Sequence, residues 1–111
     1  MSDLSKINSD MRLTAIKTVL RNHPFLIEKL TKENGAFDTT ATPETLDLDD
    51  PGDILVRLAW DIWNGGGETE LDKVFNQLSE EDFVAFIDGM KDFLALRKKI
   101  HFAYVSGMED D

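Results

Sequence analysis

Cysteine is absent from the 111-residue chain. That excludes a disulfide framework, a thiolate metal site and a cysteine nucleophile, and it fits a reducing cytoplasm. Histidine is scarce: His23 and His101 stand 78 positions apart. No HExxH pair and no serine-elbow pattern occurs. The N-terminus has no basic stretch leading into an apolar run, so no secretory leader is legible. Apolar runs fall far short of the ~20 residues that a bilayer crossing needs. No alternating strand pattern bounded by turn signals is present.

What the chain has in excess is acid, and it is unevenly spread. The net charge is −10, and residues 35–82 hold 13 Asp and Glu against Arg57 and Lys73, a local net of −11. Such a field disfavours nucleic acid and anionic membrane surfaces and selects basic partners. An apolar share of 41% with seven Phe and two Trp is enough to build a core.

The hydrophobic period is helical nearly throughout, which predicts an all-α, compact single-domain bundle of about five helices spanning 1–111, with frayed ends at about 1–8 and 107–111. Asp10 reads as the first N-cap, ahead of Leu13, Ile16, Val19 and Leu20. Pro24 opens a second helix, closed by Asn34-Gly35. Asp50-Pro51 opens a third, which runs to Asn64 and stops at Gly65-Gly66-Gly67. A fourth covers about 68–77 with Leu71, Val74, Phe75 and Leu78 inward. Ser79 caps a fifth helix over about 80–105. Its core stripe reads as Phe83, Phe86, Ile87, Met90, Phe93 and Leu94. Arg97, Lys98 and Lys99 read as a basic final turn complementing the helix dipole, in preference to a cationic site of Arg97 and His101.

Two local patterns mimic ligand sites and fail on detail. Asp47 to Leu58 has calcium-loop spacing at several positions, but Pro51 and Leu58 stand where oxygens are required. The triple glycine follows a helix, lacks a following Lys-Ser/Thr, and leads into Glu68 and Glu70, which repel phosphate. Neither supports a cofactor or metal. About half of the acids in the middle segment (Asp53, Glu68, Glu70, Glu80, Glu81 and Asp82) lie in first turns, where the helix dipole explains them.

The third helix is apolar over most of its circumference, which predicts a place near the centre of the bundle or a hydrophobic face for a partner. Trp60 and Trp63 border that arc and are expected to differ in exposure. The functional expectation is non-catalytic: an acidic interaction module, of inhibitor, antitoxin, immunity or phage anti-defence type, acting on a basic nucleic-acid-binding protein. Its candidate contact residues are Asp47, Asp49, Asp61 and Asp72, with Val56, Trp60 and Trp63. Three rivals stand beside it. One is a DNA mimic. Another is a nucleic-acid-binding domain using Lys6, Arg12, Lys17, Arg21, Lys29 and Lys32. The third is a subunit of an oligomeric enzyme.

Overall fold

In the computed structural model the backbone is described for residues 3–66 and 69–109, and side chains for residues 6–66 and 69–98. Five helices follow in order: α1 (Asp3–Val19), α2 (Pro24–Leu30), α3 (Asp50–Asn64), α4 (Leu71–Gln77) and α5 (Glu80–Glu109). The only β pairing among the described residues is an isolated antiparallel bridge between Thr31 and Phe37. The fold is all-α. The 30 residues of α5, about 45 Å at 1.5 Å per residue, stretch the molecule to 52 × 29 × 21 Å. No described helix is long and apolar enough to cross a membrane.

Capping chemistry explains the firmest boundaries. The side chain of Asp49, not Asp50, is the N-cap of α3: its Oδ1 accepts from the Gly52 N–H at 2.9 Å. Pro51 sits in the first turn, where its missing N–H costs nothing. Gly65 ends the helix in the left-handed region at φ 73°, a conformation that glycine adopts without a Cβ penalty. Ser79 Oγ accepts from the Asp82 N–H at the start of α5.

Elsewhere the boundaries differ from expectation. Helix α1 passes through Asp10 and already includes Asp3, because no Pro or Gly interrupts residues 3–10. It also takes in 3–8 of the segment expected to fray, as α5 takes in 107–109. Helix α2 stops at Leu30, where Thr31 turns extended and its hydroxyl donates back to the Ile27 carbonyl. Asn34-Gly35 then forms the tip of a reversal that returns Phe37 to the core, where it is 3% exposed.

The main core joins Ile16, Val19 and Leu20 of α1, Leu26 and Leu30 of α2, and Leu55, Val56, Ala59 and Ile62 of α3. A smaller cluster of Ile54, Leu58 and Val74 lies between α3 and α4, with Phe83 and Phe86 against it. The broadest helix contact is α1 against α5. On α5, Ala85, Gly89 and Leu96 are buried, four and seven residues apart as along a helical seam, and Asp82, one turn earlier, is buried at the α1–α2 corner. The expected stripe is therefore displaced: Ile87 and Leu94 are exposed, while Phe83, Phe86, Met90 and Phe93 are half-buried.

Gly89 shows why. A Cβ there would stand 2.3 Å from Val19 Cγ2 and 3.1 Å from the Ala15 carbonyl oxygen, so the two backbones approach too closely for a side chain. Polar ties flank this contact. Thr18 Oγ1 donates to Asp92 Oδ2 at 2.6 Å, and Arg21 pairs with Asp88 at 2.8 Å.

Candidate interaction surface

The acids of the middle segment divide into those engaged internally and those left to solvent. Asp38 accepts from both the hydroxyl and the N–H of Thr40. Those two bonds, the hydroxyl's first, hold its carboxyl below the ordinary aspartate value against a small opposing effect of burial, with Lys32 adding a lesser downward pull. Glu44 and Asp53 share Arg57, at 3.3 and 2.8 Å. The Asp53 hydrogen bond is the main reason that the Arg57 pKa lies above its ordinary value. Asp49 is a cap. Asp61 accepts from the Thr69 N–H and hydroxyl, tying the segment after α3 back onto that helix.

Asp82 is 5% exposed and belongs to the fold. It accepts from Asn22 Nδ2 at 3.2 Å and pairs with His23 Nε2 at 2.8 Å, locking the α1–α2 corner to the start of α5. This pair is not legible in the sequence, since its members are 59 positions apart. Asp47 and Asp72 are exposed.

The candidate contact residues do not assemble into one patch. Asp49 and Asp61 sit at opposite ends of α3, roughly 18 Å apart along its axis. Val56 is fully buried in the main core and offers nothing to a partner. Trp60 and Trp63 are both half-buried. Each packs on Phe37, Trp60 edge-on at 5.0 Å and Trp63 stacked at 4.8 Å, and Trp60 Nε1 donates to the Ala41 carbonyl at 2.7 Å. Both indoles thus pin the 31–41 segment onto α3. The apolar arc of α3 is filled by this loop and by α1, which is what made the helix look partner-facing in sequence. Trp60 and Asp61 do share a 200 Å³ cleft with Glu44 and Arg57.

The exposed apolar surface lies elsewhere. On α4 only Val74 is buried, while Leu71 and Phe75 are 75% and 73% exposed. They were expected to face inward. A helical turn carries them about 60° and 100° past Val74, beyond the shallow contact that α4 makes with α3. Phe75 meets the Phe83 ring edge-on at 6.1 Å, and Phe83 meets Phe86 at 6.1 Å. Ile87, one turn beyond Phe83, is 40% exposed. An apolar ridge therefore runs from α4 onto α5. Residues 69–83 around it carry the exposed acids Glu70, Asp72, Glu80 and Glu81 against Lys73.

Among the described residues no group of three or more His, Asp or Glu is placed to hold a metal ion. The Arg97–His101 site cannot be traced, because the His101 side chain lies outside the described residues. No protein-family model, curated protein or solved structure matches the chain.

Proposed function

We propose that the protein is a non-catalytic interaction module whose α4–α5 ridge docks a basic partner protein, occluding that partner's own binding surface. The observation that carries this reading is the exposure of Leu71 and Phe75 on one short helix, continuous with Phe83 and Ile87 and set among acids. Large apolar side chains grouped at the surface and rimmed by charge are the usual anatomy of a docking site. The acids steer and select a cationic partner, and the apolar ridge supplies the area that desolvates on contact.

The acidic middle keeps a place in this reading through Asp72, beside the ridge, and Asp47 on the preceding loop. A DNA mimic needs a row of free carboxylates, and it is less favoured because Asp38, Glu44, Asp49, Asp53, Asp61 and Asp82 are engaged internally.

The test is affinity capture from host extract with three baits: the native chain, a Leu71→Ser/Phe75→Ser double variant and an Asp47→Lys/Asp72→Lys double variant. The proposal expects one basic protein held by the native chain, lost with the first variant and held more weakly with the second. Capture that survives the loss of Leu71 and Phe75 would place the docking surface elsewhere.

A further inference from the structure

A second feature lies further along α5, toward its C-terminal half. A cavity of about 470 Å³ is lined by Arg12 of α1 and by Met90, Phe93, Leu94, Leu96 and Arg97 of α5. Its volume falls within the roughly 300–1,000 Å³ range of small-molecule pockets, and its lining is mostly apolar with few polar groups, as such pockets are.

The charges at this cavity are the unusual part. The chain has four arginines and 22 acids. Arg21 and Arg57 are ion-paired. Arg12 and Arg97, both at the cavity, have no carboxylate partner among the described residues. Helix-dipole complementation does not explain Arg97, because α5 continues to Glu109, three turns further on. Arg12 is held in place by neutral acceptors: Nε donates to Asn8 Oδ1 at 2.7 Å and Nη1 to the Ile62 carbonyl. Its guanidinium also lies 5.2 Å above the Phe93 ring centroid. That fixes one cation against an apolar wall, with Nη2 uncommitted among the described residues. In a molecule of net charge −10, two guanidiniums at one apolar cavity with no carboxylate partner among the described residues form a site for an anion.

We infer that this cavity binds a small organic monoanion with an apolar body, of the fatty-carboxylate class. The carboxylate pairs with Arg97 and Arg12, and the chain lies along Met90, Phe93, Leu94 and Leu96. The inference does not rest on the docking of a protein by the α4–α5 ridge.

Isothermal titration calorimetry with sub-micellar decanoate tests it, using decanol as the uncharged analogue. Arg97 and Leu94 are exposed, so Arg97→Gln and Leu94→Glu change the cavity without removing core. One-to-one binding of decanoate is expected. A charge-assisted contact is worth about tenfold or more in affinity, so decanol and Arg97→Gln should each weaken binding by that factor. Leu94→Glu should abolish it, and the Met90 methyl resonance should shift on titration with decanoate. Absence of saturable binding, equal affinity for decanoate and decanol, or native affinity in Arg97→Gln would overturn the inference.

Discussion

Helix α5 meets the rest of the molecule in two ways. Against α1 it presents Gly89, which meets Ala15 and Val19, and Asp92, which accepts from Thr18, with Ala85 and Leu96 buried on the same side. Toward α4 it presents Phe83, Phe86 and Ile87, and these stay partly or largely in solvent. The larger side chains thus make the looser contact. Close helix approach needs small residues, and dispersion gained over a long tight seam can outweigh a few large rings at a shallow one. The seam holds the fold, and the ridge is left open to solvent.

The largest expected effect falls on the seam. Gly89→Val drives Cβ into Val19 and adds two further methyl groups. Overpacking of this kind costs about 1–3 kcal/mol, enough to lower the midpoint by roughly 4–8 °C per kcal/mol in a domain of this size. Differential scanning calorimetry would read it. A native midpoint in Gly89→Val would mean that α1 and α5 do not touch as closely as described. Next comes Asp82→Ala, which strips His23 and Asn22 of a shared acceptor and should cost about 1–3 kcal/mol in urea unfolding. Asp82→Asn, which keeps one acceptor oxygen, should lose less. Equal losses would assign the effect to charge alone.

Capping and breaking signals around α3 were legible in the sequence because they act within a few residues: Pro51, the acids before it and Gly65. The all-α class followed from the helical period. The facing of α5 was not legible. A hydrophobic stripe names the apolar side of a helix, yet the neighbour at Gly89 is set by a backbone approach that only the folded chain defines. The same holds for the candidate site. Val56 and the two tryptophans looked available because the loop that covers them, through Phe37 and Ala41, has no regular pattern of its own. Leu71 and Phe75 looked buried because they share a turn with Val74.

The smallest effect concerns Asp38, a half-buried turn residue. Its carboxyl is depressed by Thr40, so its contribution to stability is present above the ordinary aspartate value and is lost as the pH falls through the lower folded value. Asp38→Asn should therefore leave the midpoint near pH 3 almost unchanged while lowering it slightly at neutral pH, as thermal scans at the two pH values would record. A larger loss on the acid side would contradict the assigned sign.

The division between seam and ridge is tested most directly by measuring two quantities on the Leu71→Ser/Phe75→Ser variant: its thermal midpoint and its affinity for the captured partner. Exposed side chains contribute little to stability, and the lost Phe75–Phe83 contact is worth about 0.5–1.5 kcal/mol at most. The account predicts a midpoint within several degrees of the native one and partner affinity reduced tenfold or more. A collapsed midpoint with the remaining folded protein binding at native affinity would contradict it, since the ridge would then belong to the core and the docking surface to another face.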